Sequence, residues 1–258
     1  MRRWGSNRST PTPPKGNAVI RSSLLLGSNY ETLGDVAIEE ITPQLAIGIS
    51  RGRFRKGYPH VDPNEDAVIV AADDETTVLA VADGHNGFDA AGAAILAIAD
   101  TSPLVIGSEP ESIVRELATA AVKSVGRTVP DLDPPRDASR TALTICVIRD
   151  GSLTTATLGD TVCFVATKRR VKRVGEKSLF LSPTSDPNAL QVESDTLKSG
   201  SIVVVASDGF ADFTHPLDRT IRAAAKQASH KAVDTLISAA FAGGAGDNVA
   251  VAVAQIEE

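Results

Sequence analysis

An α+β fold, with antiparallel sheets and helices packed outside them, is the fold class this sequence predicts. Three observations predict it. Short apolar runs separated by turn residues fill 45–82 and 141–167. Two helical stretches lie between those blocks, and one helical stretch and a last apolar run close the chain. That order lacks the regular strand–helix alternation of a parallel α/β sheet.

The elements follow in order. Residues 1–17 hold Arg, Ser, Thr, Gly, Asn and three prolines, with almost nothing to bury. Residues 1–30 are therefore expected to form a flexible basic arm ahead of one domain at 31–258. Runs 45–49, 67–72 and 77–82 read as strands, the last two joined by a tight hairpin at Asp73-Asp74-Glu75. The Ala-rich 90–98 and the stretch 111–125 read as helices, and the proline-rich 131–137 as a loop. Strands are expected at 141–149, 153–158 and 162–167, with Asp150-Gly151 turning the first hairpin. Residues 168–200 are polar and weakly patterned. A buried strand follows at 202–206. Residues 217–241 read as helix, with Ala232, Val233, Leu236, Ile237, Ala240 and Phe241 on one face. A strand at 249–254 ends the pattern.

Composition narrows the class. The 42% hydrophobic content of 258 residues supports a full core, and 4% aromatics leave the packing to Ala, Val, Leu and Ile. All 32 acidic residues fall at or after Glu31, whereas Arg2, Arg3, Arg8, Lys15 and Arg21 precede it. The net charge of -6 argues against nucleic acid as a partner. Cys146 and Cys163 sit in apolar runs and read as buried small hydrophobes. No apolar run reaches the ~18 residues that span a membrane. Met1-Arg2-Arg3-Trp4-Gly5 lacks the apolar stretch of a signal peptide, so a cytoplasmic location is expected, with no membrane partner.

Four acidic sites share one context. The apolar run 78–82 leads into Asp83-Gly84-His85, and 202–207 leads into Asp208-Gly209. Asp247-Asn248 precedes the last strand, and Asn64-Glu65-Asp66 precedes the strand at 67. A carboxylate at the lip of a buried strand is desolvated, and several together repel. Hard divalent ions such as Mg2+ and Mn2+ resolve both costs. No paired-cysteine or His-Glu-x-x-His motif supports zinc, and no P-loop is present.

These residues resemble the signature motifs of the type 2C metal-dependent protein phosphatases. The motifs are Asn64-Glu65-Asp66, Asp83-Gly84-His85-Asn86-Gly87, Leu158-Gly159-Asp160-Thr161, Ser207-Asp208-Gly209 and Gly246-Asp247-Asn248, in the family's order, and the likeness covers about 45–256. The resemblance implies a four-layer α-β-β-α sandwich, with 31–258 as its catalytic domain. It implies two Mg2+ or Mn2+ ions, with Asp83 bridging them, the Gly84 carbonyl on one, and Asp208 and Asp247 on the other. Glu65 and Asp66 match acids that hold the ions' waters, and Asp160 matches a third, weaker metal site. His85 matches the proposed general acid. The implied substrate is a phosphoserine- or phosphothreonine-bearing protein.

The chain departs from the family pattern in three places. The family carries a phosphate-gripping arginine three residues before the Asn of Asn-Glu-Asp, where this chain has Val61. The basic cluster just upstream, 51–57, nominates Arg53, Arg55 or Lys56 as its replacement. Arg140 stands in a run that is otherwise small. Only about 47 residues separate Asp160 from Asp208, so the segment that helps choose substrates must be short. Two alternatives stay open: a weak or inactive relative that binds a partner, and a phosphatase of a small phosphate ester. His60, His215 and His230 have no comparable context.

Overall fold

The structure is a computed structural model that describes residues 19–187 and 190–257. In chain order the strands are β1 Arg21–Leu26, β2 Ala37–Thr42, β3 Leu45–Ser50, β4 Ala67–Ala72, β5 Thr76–His85, β6 Arg140–Arg149, β7 Ser152–Leu158, β8 Val162–Ala166, β9 Val171–Val174, β10 Val192–Thr196, β11 Ile202–Ala206 and β12 Val249–Gln255. The helices are α1 Asp89–Val105, α2 Pro110–Thr128, α3 Asp208–Ala211, α4 Leu217–Ala224 and α5 Ser229–Ala242.

Two antiparallel sheets result, ordered β1-β4-β5-β6-β7-β10 and β2-β3-β12-β11-β8-β9. Their strands alternate apolar side chains to both faces. In β4, Ala67, Ile69 and Ala71 pack under α1 and α2, while Val68, Val70 and Ala72 face the second sheet. In β11, Ile202, Val204 and Ala206 pack under α4 and α5, while Val203 and Val205 face the first sheet. The stack is therefore helix, sheet, sheet, helix, as expected. Ala-rich β12 lets the two sheets close on each other with few aromatics: Ala250, Ala252 and Ala254 line its inner face. Cys146 and Cys163 are buried free thiols on that same interface. Among the described residues, no helix is long and apolar enough to cross a membrane.

Four differences from the sequence reading have physical causes. The arm at 1–30 does not extend to residue 30. Residues 1–18 lie outside the described residues, but β1 pairs with β4 from Arg21↔Ala72 to Leu26↔Ala67. Leu25 is buried between the sheets, so the sheet recruits a run that the expected arm had included. β2, β9 and β10 were also unread. They are edge strands or carry exposed polar residues, which hides their alternation. The stretch 217–241 is two helices, separated by a turn at 225–228 that ends where the Ser229 hydroxyl donates to the Thr42 carbonyl at 3.1 Å. Strand β5 also outruns its apolar part. Asp83, Gly84 and His85 stay paired with Ala142, Thr141 and Arg140.

Candidate metal centre

Strand alternation puts Asp83 on the same face as Leu79 and Val81, which look toward the second sheet. Its carboxylate therefore sits at the end of the intersheet core. The Thr141 hydroxyl donates to the Asp83 carbonyl at 2.9 Å and fixes the strand there. Gly84 is required by a close approach: a Cβ at this position would lie 2.5 Å from the Glu65 carbonyl oxygen. The end of β5 is thereby pressed against the 64–66 turn.

Asn248 joins the remaining segments. Its side-chain oxygen accepts the Glu65 N–H at 3.0 Å, and its side-chain amide donates to the Arg51 carbonyl at 2.8 Å. Its own N–H donates to Asp247 Oδ1 at 2.7 Å. Glu65 Oε1 accepts the Gly87 N–H at 2.7 Å. Asp208 opens α3, and its N–H donates to Asp83 Oδ2 at 3.4 Å. Carboxylates from both sheets thus meet at one end of the sandwich.

Their proximity shows in their acidities. Burial, and then the charges of Asp66, Asp208 and Asp247, push the Asp83 carboxyl well above the usual range. Burial and then Asp247 do the same to Asp66 and, more mildly, to Asp208. Burial raises Glu65. Asp66 Oδ2, Asp160 Oδ1 and His85 Nε2 are buried with no hydrogen-bond partner among the described residues. One ligand atom each from Asp83, His85 and Asp160 lies within 4.8 Å of the others. Crowded carboxylates with unpartnered buried oxygens are what a hard divalent cation satisfies, and this donor set fits Mg2+ or Mn2+.

Solved structures share this architecture at low identity. The catalytic domain of the serine/threonine protein phosphatase PstP, in complex with two manganese ions, matches with a TM-score of 0.68 at 19% identity over 86% of this chain and 100% of that one. RsbX in complex with magnesium matches with 0.59 at 18%, over 86% and 100%. The PPM Ser-Thr phosphatase MsPP from Mycobacterium smegmatis, in complex with cacodylate, matches with 0.64 at 18%, over 86% and 98%. This chain has the PPM fold. No protein-family model matches it, and no curated protein matches its sequence.

Within this PPM fold the three nominated cations separate. Arg53 lies over the Phe241 ring, 4.6 Å from its centroid, and Arg55 is exposed. Lys56 turns inward. Its ammonium bonds Asp247 Oδ1 and lies 3.5 Å from Glu65 Oε2. Burial opposes that charge, yet Asp247, Glu65 and Asp66 together raise the lysine above its ordinary pKa. Arg51, buried at the start of the same loop, clamps Asp62 at its end, with Nε 3.1 Å from Oδ1. The loop that carries Lys56 is therefore closed at its base.

His85 is half-buried with Nε2 3.8 Å from Asp83 Oδ1, and its ring meets Phe180 edge-on at 4.5 Å. Burial is the main cause that lowers its pKa. Arg140 lies over the same Phe180 ring, 5.0 Å from its centroid. The bulky residue in a small-residue run thus has a place, at the wall of the candidate site. Sequence reading missed Phe180 altogether, because 168–200 has no period to flag it. It quoted Asn248 without a role, although an Asn beside a candidate ligand at a strand start was the available signal.

Proposed function

We propose that the chain is a metal-dependent phosphoserine/phosphothreonine protein phosphatase acting in the cytoplasm. One observation carries this reading: Asp66, Asp83 and Asp208 crowd one another and Asp247 at one end of the sandwich, with buried carboxylate oxygens left unpartnered among the described residues. In this reading Asp83, the Gly84 carbonyl, Asp208 and Asp247 would hold two divalent ions, Mg2+ or Mn2+, Glu65 and Asp66 would bind the ions' waters, and Asp160 would serve a third, weaker site. Bound there, the ions supply the Lewis acidity that makes hydroxide available near neutral pH.

The chain's own residues do the rest. Lys56 offers its ammonium to the phosphate oxygens, in the role left open by Val61. A water oxygen bonds phosphorus as the bond to the serine or threonine oxygen breaks. His85 gives that oxygen its proton, so serine or threonine and inorganic phosphate leave and no phosphoenzyme forms. Glu65 is held by the Gly87 N–H and Asn248 by Arg51, so the acidic wall is fixed before substrate arrives.

Release of phosphate from p-nitrophenyl phosphate and from phosphoserine and phosphothreonine peptides tests the reading. Turnover should require Mn2+ or Mg2+ and vanish in Asp208→Ala. Calorimetric uptake of Mn2+ without turnover on any of these would favour a partner-binding module instead. Turnover of small esters alone would favour a small-molecule substrate.

A further inference from the structure

The end of the sandwich opposite the carboxylates carries the opposite charge. There the β8–β9 turn and the segment between β10 and β11 enclose an open cleft of about 630 Å³. Lys168, Arg169, Arg170, Lys172 and Lys198 line it, with Val165 and Thr167 at its side. Lys198 comes from a distant part of the sequence, so the fold, not a local run, completes the cluster. Asp195 is the one carboxylate among the lining residues, and Lys172 engages it at 2.8 Å. Arg169, Arg170 and Lys198 are exposed and bridge to no carboxylate among the described residues.

Hydrogen bonds pin the backbone of both walls. Thr167 Oγ1 accepts the N–H groups of Arg169 and Arg170 at 3.3 and 3.2 Å, and the Thr167 N–H donates to the Arg170 carbonyl at 2.8 Å. On the other side the Gly200 N–H donates to the Ile256 carbonyl, and the Ile256 N–H to the Ser201 carbonyl, both at 2.9 Å. The backbone that carries the cations is thus pinned without a ligand, which lowers the cost of binding one. β9 and β10 are the outer strands of their sheets, so backbone donors and acceptors lie beside the charges.

We propose that this cleft docks an acidic, extended peptide segment of a protein partner. An anionic bilayer or a nucleic acid would also meet the rest of a chain whose net charge is -6. A short segment lying in the cleft feels mainly the local cations, because screening at physiological salt acts over ~8 Å. The proposal stands apart from the phosphatase reading, since it concerns binding and no turnover.

The test is fluorescence anisotropy of a labelled octaglutamate peptide with the full chain. The wild type should bind it, more weakly as salt is raised. Arg169→Glu, Arg170→Glu and Lys198→Glu combined should weaken binding roughly tenfold or more. The variant's melting temperature and any Mn2+-dependent turnover of p-nitrophenyl phosphate should stay at the wild-type level, because these side chains are exposed and far from the carboxylates. Equal binding by the variant, or none by the wild type up to about 1 mM peptide, would overturn the proposal. So would tighter cation-dependent uptake of phosphatidylserine vesicles or of a single-stranded oligonucleotide than of the peptide.

Discussion

The ammonium of Lys56 bonds the carboxylate of Asp247 and reaches within 3.5 Å of Glu65. A lysine from the β3–β4 connection therefore supplies positive charge where the acidic residues of both sheets converge. With saturating Mn2+, Lys56→Met should raise KM for a phosphoserine peptide about tenfold or more, the scale of a lost charge-assisted hydrogen bond. Arg53→Ala and Arg55→Ala should change it less than about twofold, as expected for exposed charges. Steady-state kinetics on the three variants checks this, and equal effects would remove Lys56 from the phosphate site. In EDTA, Lys56→Met should also melt at a lower temperature than the wild type, because Asp247 and Glu65 lose their counter-charge.

Asp208 offers a test in which function and stability move oppositely. Burial and Asp247 make its charged form costly. Asp208→Asn should raise the melting temperature in EDTA, by about 2–4 °C. The same change should weaken Mn2+ binding by calorimetry and reduce p-nitrophenyl phosphate turnover by roughly a thousandfold or more. A variant that melts earlier in EDTA than the wild type would contradict the crowding described for this cluster.

The crowding also sets a pH dependence. Asp66, Asp83, Asp208 and Glu65 all have folded pKa values above their ordinary ones, so the folded chain binds more protons than the unfolded chain. The cluster's contribution to stability without divalent ions is then greatest below the ordinary carboxylate range. It declines as pH rises through the raised folded values. Mn2+ binds the ionised forms, so the stabilisation it gives should grow with pH. Thermal melts from pH 4 to 8, with EDTA or Mn2+, check both slopes, and an EDTA curve that rises with pH would refute the assignment.

His85 can be isolated by leaving-group chemistry. p-Nitrophenolate departs without a proton, whereas a serine alkoxide needs one. His85→Asn should lower kcat for a phosphoserine peptide by about 10²–10⁴ and leave p-nitrophenyl phosphate nearly unchanged. Burial lowers the histidine's pKa. The ratio of peptide to p-nitrophenyl phosphate turnover in the wild type should therefore fall as pH rises out of the mildly acidic range. A flat ratio, or equal losses on both substrates, would assign His85 a structural role.

Gly209 tests how the acidic ends are spaced. A Cβ there would lie 1.9 Å from the Asn248 carbonyl oxygen, which is backbone and cannot swing aside. Gly209→Ala should cost about 1–3 kcal/mol, the range for overpacking, and should weaken Mn2+ binding because Asp208 is pushed from Asp247. Urea unfolding and calorimetry on one variant check the pair.

The convergence of the carboxylates was legible because Asp83 and Asp208 each end an apolar run, a context that is costly without compensation. The four-layer stack followed from the motif order and from the strand–helix sequence. The choice among Arg53, Arg55 and Lys56 was not legible. It depends on Arg51 closing the loop onto Asp62 and on Arg53 lying over Phe241, which are contacts between segments far apart in sequence. Phe180 was hidden for a similar reason, since one aromatic in a polar stretch has no pattern until the fold brings His85 and Arg140 to it. β1, β9 and β10 escaped notice because edge strands need only one apolar neighbour, and their outward residues follow no rule of burial.

Strand β11 acts as a ruler. Ser201, just before its first residue, lines the basic cleft, and Asp208 stands just past its last. At ~3.3 Å per extended residue, that interval is about 23 Å. A linear substrate gripped at both ends would need its acidic run at least seven residues or so from its phosphorylated side chain. Peptides in which this gap is shortened should lose any rate advantage the acidic run confers.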